Sequence, residues 1–389
     1  MCRPFGKRDV PIAKTFLHWV RMDFMRTLSA LILTFIAAAA HAADLELTLP
    51  TVIYAVPDVP ISIYNDNIVL TETPEAYQFD FNCKLGTTEP RRWTLTAADR
   101  DVGNHPLEVT VKDPSGKTLA HAKTTLHISP RQTASKKTLR LLILGDSLTH
   151  GAIYPNEIAR LLATPGNPAF TMLGTHKPAG ASPGVAHEGY GGWKWSDFLT
   201  KFDPKPDGVT AGPLARKTTS PFIFPTQSGK AQFDLPRYFR DHCDNQPPDI
   251  VTFLLGINDC FSAKPDAPDA KITEVLAHAE KLIAAFQKAA PNAILAIGLT
   301  TPPNSRQEAF VANYQTNYTR WGWKRIQHRL VQRMLKQFSN RESEHIHLVP
   351  TQLNLDPIDG YPTNNGVHPN ATGYNQIGAS FYSWMKSKL

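Results

Sequence analysis

The sequence predicts an α/β protein, a three-layer α/β/α sandwich with a mainly parallel sheet, preceded by a small all-β sandwich. Three observations predict it. Short alternating stretches separated by turn signals fill the chain up to about residue 130, whereas beyond residue 138 continuous apolar strands alternate with helical patterns. The length of 389 residues exceeds one ordinary domain and suits a processed leader, a small domain and a larger one of about 250 residues.

The leader is read from Met22–Ala43. Arg26 supplies a positive region, Leu28–Ala40 an apolar stretch, and Ala40-His41-Ala42 small residues at both positions a signal peptidase needs. Cleavage is expected after Ala42, with residues ahead of Met22 an overlong start, and the product periplasmic or extracellular. The apolar run is shorter than the roughly 20 residues that span a bilayer.

Residues 43–131 are expected to form a small antiparallel β sandwich. Leu45-Glu46-Leu47-Thr48-Leu49 and Leu107-Glu108-Val109-Thr110-Val111 alternate with period two, and Asp113-Pro114-Ser115-Gly116 is a turn. The segment Gly103–Ser129 is similar to the last hairpin of an immunoglobulin-like module. Residues 132–138 are polar and read as a linker.

From 139 to 389 the pattern is that of the larger domain. Strands are expected at Leu139–Leu144, Phe170–Leu173, Ile250–Leu255, Ile294–Leu299 and Ile346–Val349. Helices are expected at Tyr154–Leu162, Ile272–Ala289, a long stretch around Glu308–Phe338, and Tyr374–Lys386. Such sheets carry their chemistry at the carboxyl ends of the strands. Residues 200–247, rich in Pro, Gly, Lys and Thr, break the alternation and read as a surface excursion or lid.

Charge and cysteines exclude some functions. Removing residues 1–42 takes six basic and two acidic residues from a chain of net charge +7, leaving 35 basic against 32 acidic, a net +3. A nucleic-acid binder would concentrate its basic residues in a stripe, so none is expected as partner. Of four cysteines, Cys2 falls in the leader; Cys243 and Cys260 could pair, or they and Cys83 could be three separate buried thiols. No CxxC or clustered His/Cys spacing points to a metal, and no cofactor is expected.

Four short blocks carry the chemistry. Leu141–Leu144 runs into Gly145-Asp146-Ser147-Leu148, placing a serine at a strand end beside a helix start. Then come His187-Glu188-Gly189-Tyr190-Gly191-Gly192-Trp193, Gly256-Ile257-Asn258-Asp259 after a buried strand, and Gly366-Val367-His368-Pro369 before the final helix. Each alone is an ordinary turn; the four together in this order are specific.

In these blocks the chain resembles the SGNH (GDSL-type) hydrolases, over the larger domain only. The resemblance implies a flavodoxin-like fold and an ester hydrolase with Ser147 as nucleophile and His368 as general base. The Gly192 N–H and the Asn258 side chain would bind the oxyanion. One position departs from the family's Asp-x-x-His: the residue three before His368 is Asn365. Asn365 or a backbone carbonyl could orient the histidine, and a carboxylate such as Asp359 or Asp356 is the remaining alternative.

The second block looks like that of SGNH carbohydrate acetylesterases, which tend to carry Glu-Gly-x-x-Gly-Trp. Glu188 and Trp193 are therefore candidate substrate contacts, and Trp195, Trp321 and Trp323 could offer faces to sugar rings or could be core. The expected activity is release of O-acetyl groups from a carbohydrate. The alternatives are a lipase or thioesterase on acyl chains, or an inactive carbohydrate-binding relative.

Overall fold

The computed structural model describes residues 45–133, 136–204 and 217–389. The expected leader falls outside the described residues, as does part of the expected linker. Residues Glu46–Leu389 form one compact unit. Among the described residues no helix is long and apolar enough to cross a membrane.

The amino-terminal region is built of two sheets. β1 (Val52–Ala55), β7 (Thr118–Ile128), β6 (Gly103–Lys112) and β3 (Gln78–Asn82) lie in that order, while β2 (Ile61–Tyr64), β5 (Arg92–Leu95) and β4 (Thr87–Glu89) form the second. The hairpin expected over Gly103–Ser129 is β6–β7, and Asp113 closes its turn by accepting from the Ser115 and Lys117 N–H groups. Two expectations change. Leu45–Leu49 is not a strand, and β1 runs parallel to β7 rather than antiparallel.

This region is bound to the larger one by buried polar contacts rather than left on a tether. Asn67 Nδ2 donates to the carbonyls of Gln352 and Leu355, both at 2.8 Å, and the Ser62 N–H donates to Asn354 Oδ1 at 2.7 Å. Lys324, almost wholly buried, pairs with Asp66. Breaking such contacts would strand buried donors at about 1–3 kcal/mol each, so the two regions are held in one arrangement.

The larger region contains a six-stranded parallel sheet. β8 (Leu139–Gly145) pairs on one edge with β13 (Ile250–Leu254), followed by β14 (Ile294–Gly298) and β15 (Ile346–Val349). Its other edge takes β9 (Phe170–Leu173) along Leu139–Leu142 and then the two-residue β10 (Glu188–Gly189) along Leu144–Gly145. The order 9-8-13-14-15 is the doubly wound, flavodoxin-like order, with its switch point between β8 and β13.

Helices cover both faces. Phe253 of β13 meets Phe286 of the helix Asp269–Ala289 at 5.7 Å between ring centres. Gly298, one residue beyond the register partner of Phe253, faces the other way, and a Cβ there would lie 2.7 Å from Phe381 of the final helix Ala371–Lys386. The long helical stretch expected around Glu308–Phe338 is two helices, Gln307–Tyr314 and Arg320–Phe338. The break comes where Gln315 takes a positive φ and Thr319 caps the second helix. Within 200–247, the described residues form the hairpin β11 (Ile223–Pro225) and β12 (Ala231–Phe233) and the helix Leu235–His242.

Candidate active site

The site is assembled where β8 and β13 end side by side, at the switch point. Gly145 must be glycine, because a Cβ there would lie 1.8 Å from Thr149 Oγ1. Asp146 then caps the four-residue helix Ser147–His150, its Oδ1 accepting from the Leu148 N–H at 2.9 Å. Asp146 is buried, which pushes its carboxyl up to about 7 against the opposing Leu148 N–H, with Asp259 nearby adding to the rise. This aspartate shapes the turn and leaves Ser147 half-buried at its tip.

His368 reaches the serine from the far end of the chain. Its Nε2 lies 2.8 Å from Ser147 Oγ, and its Nδ1 lies 3.2 Å from Asn365 Oδ1. The same Oδ1 accepts from the backbone N–H groups of Val367 at 3.1 Å and His368 at 2.9 Å. Those two donors fix which end of the Asn365 amide faces the ring. An oxygen there requires the proton on Nδ1, which leaves Nε2 bare to accept from the serine hydroxyl. Burial lowers the His368 pKa below the ordinary histidine value, favouring this neutral form.

Of the orienting groups open from the sequence, the structure brings up Asn365. Asp356 accepts from the Ile358 and Asp359 N–H groups and from Arg91, and the exposed Asp359 pairs with the same arginine. The Asn365 carbonyl is taken by Asn304 Nδ2 at 3.0 Å. Asn304 also donates to the carbonyls of Pro362 and, through its N–H, Gly366, both at 2.9 Å. It is thus the brace of the histidine loop, a role that no local motif announces.

Asn258 follows β13 through Gly256, which has φ +123°. Its Nδ2 donates one hydrogen to the Trp193 carbonyl at 3.1 Å, and its second amide hydrogen has no described acceptor. Gly192, just before Trp193, has φ +79° and is exposed, and no described residue accepts from its N–H. One hydrogen bond therefore joins the loops that carry these two donors.

Glu188 and Trp193 are not surface contacts, which corrects their reading as substrate-binding residues. Trp193 is wholly buried between Tyr190, at 4.5 Å, and Phe198, at 4.9 Å. Glu188 is also wholly buried: Oε1 accepts from the Thr175 N–H at 2.7 Å and the Tyr238 hydroxyl at 2.6 Å, while Oε2 accepts from the Thr175 and Tyr190 hydroxyls. Burial and this carboxylate raise both tyrosine pKa values well above the usual range. Thr175 and Tyr238 lie 13 and 50 residues away in sequence, so nothing local signals the cage.

The other candidates resolve similarly. Trp195 stacks on Phe253 and Trp323 on Phe261, both buried; Trp321 is half-buried beneath Arg325. Cys83, Cys243 and Cys260 are three free thiols, and burial pushes Cys243 and Cys260 up to about 12. Among the described residues no group of three His, Cys, Asp or Glu side chains is arranged to hold a metal.

None of the curated proteins matches this chain. Among solved structures it is similar to an acetyl xylan esterase (15% identity over 63% of this chain and 99% of that one, TM-score 0.36). A carbohydrate acetylesterase family member from Sinorhizobium meliloti gives 15% identity over 65% and 100%, with TM-score 0.39. A family two carbohydrate esterase from Clostridium thermocellum, in complex with cellohexaose, gives 14% over 86% and 94%, with TM-score 0.36. The model of the GDSL-like lipase/acylhydrolase family matches residues 143–376, more than half of the chain and every block described above. The chain belongs to the GDSL-like lipase/acylhydrolase family and is a carboxylic ester hydrolase.

Proposed function

We propose that this protein is an exported serine esterase that removes O-acetyl groups from a carbohydrate through an acyl-enzyme on Ser147. The observation that carries the mechanism is the Ser147–His368–Asn365 chain of contacts, at 2.8 and 3.2 Å. Ser147 Oγ attacks the acyl carbon as its proton passes to His368 Nε2. The carbonyl oxygen becomes an oxyanion facing the Gly192 N–H, the free Asn258 amide hydrogen and the Ser147 N–H. His368 returns the proton to the departing sugar oxygen. Water, deprotonated by the same nitrogen, then cleaves the acyl-enzyme to acetate and free serine.

Asn365 supports the tautomer this cycle needs but brings no negative charge to the imidazolium. The family triad supplies both, and an Asp-to-Asn change in serine proteases costs about 10⁴ because the wrong tautomer is held. Here the two backbone donors that fix the amide support the correct one, so the pair works as a dyad oriented by an amide.

The carbohydrate substrate rests on the Glu188-Gly189-Tyr190-Gly191-Gly192-Trp193 block, and export on the leader sequence. The test is acetate release from acetylated polysaccharides set against hydrolysis of long-chain 4-nitrophenyl esters, with Ser147→Ala as control. Acetate release abolished in the variant is expected. Cleavage of long-chain esters alone would replace the acetylesterase with a lipase, and no hydrolysis of any ester would leave a binding protein.

A further inference from the structure

Two buried carboxyl groups stand next to the proposed catalytic residues, and the cycle above uses neither. Asp146 precedes Ser147 at the end of β8, and Asp259 follows Asn258 after β13; the two strands are paired, with Leu254 opposite Gly145. Asp146 is only 1% exposed and Asp259 3%. In each, one oxygen is engaged and the other is not. Asp146 Oδ1 accepts from the Leu148 N–H at 2.9 Å and Asp259 Oδ1 from the Trp195 N–H at 3.2 Å, whereas both Oδ2 atoms are buried without a hydrogen-bond partner.

These bonds put the carboxyls at the joints of the site. Asn258 holds the Trp193 carbonyl at 3.1 Å, so consecutive residues of one turn clasp positions 193 and 195, just past Gly192. Asp146 fixes the turn that carries Ser147. Around Asp146 stand Asp259, Tyr154 and Tyr374; around Asp259 stand Asp197, Cys260 and the exposed Lys194. Among the described residues no cation forms an ion pair with either carboxyl. A buried carboxylate with an empty oxygen and no counter-ion is disfavoured in its charged form, and two at adjoining strand ends disfavour double ionisation further. Burial pushes Asp259 up to about 7 against the opposing Trp195 N–H, the same value that Asp146 reaches.

We infer that Asp146 and Asp259 are positioning residues that keep at least one proton on the pair during turnover, anchoring the nucleophile turn and the oxyanion loops without a second full negative charge beside the oxyanion. The inference rests on the serine-esterase mechanism proposed above and deepens it. A protonated carboxyl still accepts a backbone N–H through its carbonyl oxygen, so both anchors survive protonation. An ionised pair would oppose the negative oxygen that forms at the Gly192 N–H and the Asn258 amide. That opposition falls on the transition state, so kcat should drop as the proton leaves while KM changes little. Deprotonation of His368 acts the other way, since the serine is activated only by the neutral ring.

Asp146→Asn and Asp259→Asn each keep an oxygen to accept the backbone N–H and put an amide where the acid proton would stand. Infrared difference spectra of the full chain, taken across about pH 7, should show the carbonyl stretch of a protonated carboxyl that disappears on the alkaline side, and each Asn variant should weaken that band. With 4-nitrophenyl acetate as substrate and the Ser147→Ala background subtracted, wild-type kcat should fall about tenfold from neutral to alkaline pH, and both Asn variants should fall less. Asp259→Ala, which loses the Trp195 anchor, should lower kcat at every pH. A wild-type spectrum without the band, a band unchanged in both Asn variants, or an alkaline fall that both retain in full would overturn the proposal. The wild-type spectrum needs no turnover, so the band in a protein that cleaves no ester would overturn the esterase reading and leave the protonated pair standing.

Discussion

Two acceptors stand behind the proposed catalytic groups, and they differ in charge, burial and partners. Glu188 is a wholly buried carboxylate receiving hydrogen bonds from Thr175, Tyr190 and Tyr238, and it anchors the turn that leads to Gly192. Asn365 is a half-buried neutral amide receiving them from two backbone N–H groups and from His368. The charge sits where nothing needs to move, because a caged carboxylate rigidifies a turn. The neutral acceptor sits where the proposed mechanism exchanges a proton. It selects a tautomer without holding the proton on the imidazole.

The largest test of this contrast is Glu188→Ala. Removing the carboxylate strands the buried Tyr238 hydroxyl and the Thr175 N–H, each at about 1–3 kcal/mol, while the Tyr190 hydroxyl keeps Thr175 and Lys217, so unfolding in urea should show a loss of roughly 3–5 kcal/mol. A loss below about 1 kcal/mol would mean that the cage does not hold the turn. Asn258 joins that turn to the next loop, and Asn258→Ala removes both its bond to Trp193 and the proposed oxyanion donor. Its kcat should drop on the order of 10²–10³ with KM little changed. A KM effect alone would remove Asn258 from the oxyanion site.

The smallest expected effect is the most informative about Asn365. Asn365→Asp keeps the acceptor geometry and adds the missing charge, and should raise kcat/KM about tenfold, the difference between a neutral and a charged hydrogen bond. The pH profile gives the sign. The proposed mechanism needs neutral His368, whose pKa burial lowers, so wild-type activity should persist below the ordinary histidine value and fall only as His368 protonates. A carboxylate favours imidazolium, so the acid limb should move to higher pH in the variant. An unmoved limb would mean that Asn365 does not face the ring that takes the proton.

The same contrast explains what the sequence disclosed. The five main strands are legible because buried parallel strands are continuous apolar runs, and the ends of β8 and β13 locate Ser147 and Asn258. His368 is legible through its place before the last helix. Glu188 and Trp193 are visible as a motif, yet their direction is not, since the same residues could face solvent or core. Only the positions of Tyr238 and Phe198 decide it. Asn365 shows as a departure from the family pattern, but its proposed function depends on two backbone N–H groups that no side-chain pattern encodes. The bracing position of Asn304 arises from long-range packing and leaves no local signal.

The most direct test of the central claim is to label the enzyme with a small serine-directed organophosphonate and locate the adduct by peptide mass spectrometry. One adduct on Ser147, formed rapidly by the wild type and suppressed in His368→Ala, is the predicted result. An adduct on another residue, or labelling of Ser147 at an equal rate without His368, would contradict a serine activated by this histidine.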